Sequence, residues 1–263
     1  MYGSTILATL LGASTVFAAP TWPQLNTGLA NTAGRDILSS YFNLLAQKVD
    51  LAKLATLTPS CDLTKAQMPT LSASPLPTPA SGLAVKHVAI GRGTQNYTCS
   101  TSDSTAAPTA VGAVATLFDA SCVAALYPDL LHVLPSLALQ FDLPYSDKTD
   151  AKMGPTSLLV SGKHFFTNAT TPFFNLDTPR KSIGEAPCSK LNATNAPSDA
   201  PKGRQGEAAV PWLFLGANPD ATGGIHDVYR VETAGGSAPA TCAGQPASFQ
   251  VQYAAEYWFF ASS

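Results

Sequence analysis

The sequence is short of charge. Only 12% of its 263 residues are Asp, Glu, Lys or Arg, about half the fraction of an ordinary soluble domain. The 15 basic residues stand against 17 acidic ones, for a formal net charge of −2. Such a chain has no basic stripe for nucleic acid and no cationic face for an anionic membrane surface. Histidine and glutamate are scarcer still, at four each, which leaves few candidates for acid–base work or metal ligation. His-Glu-x-x-His, Cys-x-x-Cys, Gly-x-Ser-x-Gly and the phosphate-cradling Gly-x-x-x-x-Gly-Lys-Ser/Thr loop are all missing. Their absence removes the local signatures of zincins, thioredoxin-like redox sites, α/β-hydrolases and P-loop enzymes, and no cofactor is expected. After residue 18 no apolar run reaches the roughly 18 residues that a membrane helix needs, so no membrane span is expected.

What is there begins with an address. The run from Thr5 to Ala18 is apolar, too short to cross a bilayer and closed by small residues. It reads as a signal peptide over 1–18, with Val16 and Ala18 at the −3 and −1 positions of the cut. Asn96-Tyr-Thr, Asn168-Ala-Thr and Asn192-Ala-Thr are glycosylation acceptors in a secreted chain. The expected product is a secreted, extracellular glycoprotein.

The rest divides by period. Ile37, Leu38, Tyr41, Leu44, Leu45 and Val49 recur at spacings of three and four, predicting an amphipathic helix over 35–54. Prolines at 75, 77 and 79 then exclude helix and mark Leu71–Gly82 as an extended linker. Residues 19–82 are thus a helical segment with a proline-rich linker, and 83–263 a β-rich domain. There the period is two: Leu83–Ile90, a Gly91-Arg92-Gly93 break, Thr94–Cys99, Val111–Phe118, Val210–Leu215, Ile225–Val231 and a long alternation over Phe249–Phe259. Leu158–Val160 and Lys163–Phe166 flank Ser161-Gly162, which reads as a tight hairpin connection. Asp129–Phe141 reads as one or two helical turns interrupted by Pro135, and Ser182–Gly206 as a surface loop. The fold class is mainly β, an antiparallel sandwich or barrel-like domain with an N-terminal amphipathic helix.

Several segments resemble a secreted bacterial and fungal family, domain of unknown function 3455. They are Ala84–Cys99, Gly112–Asp119, Gly162-Lys-His164, Val210-Pro-Trp-Leu213, Val228–Cys242 and Val251–Phe259. The resemblance implies a Cys99–Cys242 disulfide, and elimination adds Cys61 with Cys122, leaving Cys188 as a free thiol in a polar loop. Some fungal relatives carry the name malate dehydrogenase. The residues do not supply that chemistry, because a dinucleotide site needs a Gly-rich turn from a strand into a helix, and Gly91-Arg-Gly93 runs into a strand.

Candidate ligand-binding residues are His87, Arg92, Asp119, His164, His226 and Trp258. Arg92 between two glycines is placed to bind an anion from a tight turn. Arg230 and Glu232 share a strand face, where an ion pair across to a neighbouring strand is expected. Trp258 lies opposite Tyr257 on a face with Gln250, Gln252 and Glu256, which makes it the best exposed aromatic for a sugar, unless the 35–54 helix covers it. Two functional readings follow. The first is a non-enzymatic cell-surface or cell-wall module with a polysaccharide or cell-wall partner. The alternative is a secreted hydrolase or metal-dependent enzyme built from His87, Asp119, His164 and His226.

Overall fold

A computed structural model describes residues 36–45, 61–100, 102–141 and 151–262. The expected signal peptide and the second half of the expected 35–54 helix lie outside them. Helix α1 covers 36–45, and a short 3-10 helix spans Leu63–Lys65. Strands β1 (Leu83–Thr98) and β2 (Thr109–Asp119) lead into helices α2 (Ser121–Leu126) and α3 (Pro128–Leu139). Six strands follow: β3 (Val160–Phe166), β4 (Pro172–Asn175), β5 (Glu185–Thr194), β6 (Trp212–Ala217), β7 (Ile225–Gly235) and β8 (Ser248–Ser262). Each strand pairs antiparallel with its sequence neighbour, and β1 closes on β8, so the eight form one closed barrel. Closure removes the exposed edges that an open sheet of this length would present.

Three glycines expected at turns lie inside strands instead. Gly91 and Gly93 sit within a continuous β1, and Gly162 within β3. A Cβ on Gly93 would come 1.8 Å from the Val114 carbonyl oxygen, and one on Gly162 would come 2.4 Å from that of Asn175. At Gly91 it would meet the Tyr257 ring at 2.4 Å. These glycines permit close approach of a neighbouring backbone or ring. The loop expected over Ser182–Gly206 is also corrected, since Glu185–Thr194 of it is β5. Its upper half is exposed and polar, so its composition hides the strand.

The alternation of β8 feeds two separate cores. Tyr253, Ala255, Tyr257 and Phe259 point into the barrel, where they meet Ala89, Leu117, Phe174 and Leu215. Ala254, Trp258 and Phe260 point outward with Val88, Ile90, Phe118 and Tyr229, and are covered by Leu130, Leu131, Leu134 and Leu137 of α3. Trp258 is therefore 0% exposed, so of the two alternatives the covered one holds, and the exposed sugar-binding face is corrected. The covering helix is chiefly α3, with Tyr41 of α1 in the same cluster. Nor does Pro135 interrupt α3. It removes one backbone donor on a turn whose Leu134, Pro135 and Ala138 are all buried, so packing holds the helix together.

The proline-rich stretch lies along the outside of β7. Tyr229 Oη donates to the Pro77 carbonyl at 2.9 Å, and the Ala80 N–H donates to Asp227 Oδ2 at 2.9 Å. Disulfides join Cys61 to Cys122, at the start of α2, and Cys99 to Cys242, beyond the ends of β1 and β7.

Candidate ligand site in the barrel lumen

The two ends of the barrel differ. At the end bearing Leu83, Asp119 and Ser262, aromatic and aliphatic side chains fill the interior. At the opposite end the interior opens into a cavity of about 660 Å³, lined among others by Gln95, Tyr97, His164, Phe166, Arg230 and Tyr257. The strand lengths explain the opening. β4 pairs with β5 only over Glu185–Pro187, whereas β5 continues to Thr194 paired with β6 alone. Space is left between the β3–β4 turn, with Ala169 and Thr170, and Lys190 and Ala193 of β5, and all four line the cavity.

Arg230 reaches the lumen because β7 alternates: Val228 belongs to the inner core and Tyr229 and Val231 to the outer one. A bulge between Val231 and Ala234, with Glu232 at φ +45°, then turns Glu232 outward to His132, 3.1 Å from Nδ1. Arg230 and Glu232 therefore do not share a face, and Glu232 meets His132 of α3 rather than a cation on a neighbouring strand, which corrects that reading. The Arg230 guanidinium is buried and donates one Nη to the Pro211 carbonyl at 2.9 Å. Its Nε is buried with no partner, and so is Nε2 of Gln95. Among the described residues no carboxylate pairs with Arg230.

The floor of the cavity is aromatic. His164 stacks on Phe174 with ring centroids 4.3 Å apart. Its Nδ1 faces the Phe173 carbonyl at 3.0 Å, so that nitrogen carries the proton and Nε2 the lone pair. Burial lowers the His164 pKa to about 4, against the hydrogen bond to Phe173 and with a further push from the Arg230 charge. The Tyr257 hydroxyl is 2.8 Å from that of Tyr253. Burial raises the Tyr257 pKa, and the Arg230 charge opposes the rise.

The other candidates are dispersed. His87 is 5.9 Å from Phe259, Phe259 is 5.3 Å from Phe174, and His164 stacks on Phe174, so the ring contacts run from one histidine to the other through two phenylalanines. His87 bridges two serines, with Nε2 at 2.9 Å from Ser161 Oγ and Nδ1 at 3.0 Å from Ser121 Oγ. Burial takes its pKa to about 4, opposed by Asp119, whose Oδ1 is 3.8 Å from Nδ1. Asp119 also accepts from the Ser121 N–H at 2.9 Å. The neutral imidazole thus pins β1, β3 and α2 together. His226 is on the outer surface, 2.7 Å from Asp227 Oδ1. The structure therefore unites His87 with Asp119 but joins neither to His164 or His226. Among the described residues, no group of three His, Cys, Asp or Glu is placed to hold a metal.

Arg92 is not on a turn. It points outward from the middle of β1 and donates to the carbonyls of Ala138, Phe141 and Gly93 at 3.0, 3.3 and 3.0 Å, and to the Gln252 side chain. A cation on the last carbonyls of α3 complements the negative helix end, so this guanidinium fastens the helix. Of the sequons, Asn168 and Asn192 are exposed and Asn96 is half-buried.

Residues 79–261 match the family described as protein of unknown function (DUF3455). The chain belongs to this family. No curated protein and no solved structure matches the chain. The DUF3455 match covers β1 to β8 except the final Ser262, so it contains the whole lumenal site. Gly91-Arg92-Gly93 of this DUF3455 barrel lies in mid-strand, where no helix start meets it as a dinucleotide pyrophosphate requires.

Gln95 and Tyr257 were missed as site residues, and Arg230 was read only as half of an ion pair. Their common signal is a strand position facing inward, which is assigned only once the barrel is closed. Cys188 is free, but it lies in β5 within the inner core and not in a surface loop. Burial pushes its thiol up to about 12. The native protein should therefore be inert to iodoacetamide at pH 8, while unfolding without reductant should release one alkylatable thiol. Alkylation of the folded protein would contradict this burial.

Proposed function

We propose that this protein is an extracellular binding module that holds a small, largely apolar molecule in the barrel lumen. One observation carries the reading: a cavity of about 660 Å³ enters the barrel with aromatic walls and only a few inward polar groups. Small-molecule sites have this size and character, roughly 300–1,000 Å³. The apolar run over 1–18, the sequons and two disulfides support an extracellular setting. The polysaccharide reading depended on an exposed Trp258, which α3 covers.

The secreted-hydrolase reading named His87, Asp119, His164 and His226, and the feature nearest to an activated nucleophile is Ser161 Oγ, 2.9 Å from His87 Nε2, although Asp119 Oδ1 lies 3.8 Å from Nδ1, too far for a hydrogen bond. Ser161 is 7% exposed, however, and His87 serves two serines at the filled end. The lumen is the better supported site.

Titration with Nile red, a neutral dye that brightens in apolar surroundings, tests the proposal. Saturable binding of one dye per chain is expected. The Ala110→Trp variant, which plugs the mouth at an exposed lining position, should weaken it by about tenfold or more with unchanged circular dichroism. Absence of saturable binding, or indifference to Ala110→Trp, would overturn the lumenal reading.

A further inference from the structure

We infer that the ligand is a monocarboxylate with an apolar tail, its head held at Arg230; the inference rests on the lumenal reading above. A guanidinium cannot shed its proton when buried, so the usual escape of a desolvated charge is closed to Arg230. An uncompensated buried ion is strongly unfavourable, and the remedy is an opposite charge with good hydrogen bonds. None is supplied by the described residues of the chain. Arg230 nevertheless keeps an unpartnered Nε at 7% exposure and lines the cavity.

The cavity's other orphan has the same polarity. Gln95 Nε2 is a buried donor without an acceptor on the same lining, and it suits a second ligand oxygen. Both unsatisfied groups are donors, as a ligand rich in acceptor oxygens requires. One fixed positive charge balances one negative charge in a low-dielectric interior, which selects a monoanion over a doubly charged phosphate monoester. The planar guanidinium is matched to a carboxylate. Phe166, Phe174, Leu213, Leu215 and Tyr257 leave the tail an apolar wall.

The test is displacement of bound Nile red by two probes of equal length, dodecanoate and dodecanamide, at neutral pH. Dodecanoate is expected to displace at roughly tenfold lower concentration, and Arg230→Met should abolish the difference while retaining dye binding. Because Met removes a buried charge that no carboxylate of the described residues offsets, that variant should fold and melt no lower than the parent without ligand. Lys202→Met, exposed and outside the cavity lining, should leave the preference intact. Equal displacement by both probes in the parent would overturn the carboxylate inference and leave the lumenal reading standing. A preference that survives Arg230→Met, or disappears with Lys202→Met, would overturn the role of Arg230. Failure of the dye to bind the parent at all would remove both.

Discussion

The Cys99→Ser/Cys242→Ser double variant is expected to lose about 5 kcal/mol of stability, the loop-closure value for a cross-link of this span. The two cysteines are 143 residues apart in sequence. The bridge therefore restrains most of the unfolded β-domain while joining chain ends that already meet in the folded one. The Cys99 N–H donates to the Ala247 carbonyl at 2.9 Å and the Cys242 N–H to that of Ala106 at 2.8 Å. The β1–β2 and β7–β8 connections are thus held together near Gln95 and Tyr97, beside the cavity mouth. The β1–β8 seam that closes the barrel joins the first strand to the last, the most entropically demanding pairing in the topology. The disulfide has its effect at that step. Removing Cys61–Cys122, with a separation of 61, should cost less than its own chain-entropy value of about 4 kcal/mol, because it fastens the 61–65 segment to α2 outside the barrel and that segment can detach locally. Urea midpoints of the two variants measure the difference. A Cys99→Ser/Cys242→Ser midpoint equal to the parent's would refute the argument.

Period-two patterning located β1, β2, β7 and β8 because each strand places one face in a continuous core, and alternation is a local property of sequence. Closure is not local. Whether β1 meets β8 or two sheets face one another depends on pairing across more than 150 residues, so sandwich and barrel remained equivalent from sequence. The misplaced turns at Gly91–Gly93 and Ser161–Gly162 have one cause: glycine signals both a tight turn and a close approach, and the atom approached, such as the Val114 oxygen, belongs to another strand. Trp258 failed for a related reason. Its face carries Gln252 and Glu256 and looks solvated, yet α3 lies over it and Arg92, Glu256 and Trp258 go under together. The site was legible only in part. His164 could be nominated from scarcity, but the significance of Arg230 lies in the absence of a counter-ion around it among the described residues, which no motif encodes.

Glu256 is expected to give stability a falling limb from about pH 6.5 to 8 that the Glu256→Gln variant lacks. The carboxyl is 0% exposed beneath α3, with Oε2 accepting from Trp258 Nε1 at 2.9 Å and Oε1 unpartnered. Burial raises its pKa from 4.5 to about 8; the Trp258 hydrogen bond opposes this, Glu232 on β7 adds to it, and His132 on α3 pulls weakly the other way. Below pH 4.5 the folded and unfolded chains both hold the proton. Between 4.5 and 8 only the folded chain does, so the contribution present at low pH is lost at a limiting rate of about 1.4 kcal/mol per pH unit and levels off above 8. His87 and His164 act with the opposite sign. Their pKa values drop from 6.5 to about 4, so stability falls as pH decreases through that window, when unfolding would let each imidazole take a proton. Two histidines outweigh one glutamate below about pH 6.5, and the glutamate alone acts above it. The parent should therefore be most stable near pH 6–7, while Glu256→Gln, which keeps an acceptor for Trp258, should rise to a plateau and exceed the parent by roughly 3–5 kcal/mol at pH 8. Subtracting the two urea-derived profiles cancels the histidines and isolates Glu256. Parallel profiles from pH 5 to 8 would show that this carboxyl ionises in the folded protein as freely as in water, and that α3 does not seal it.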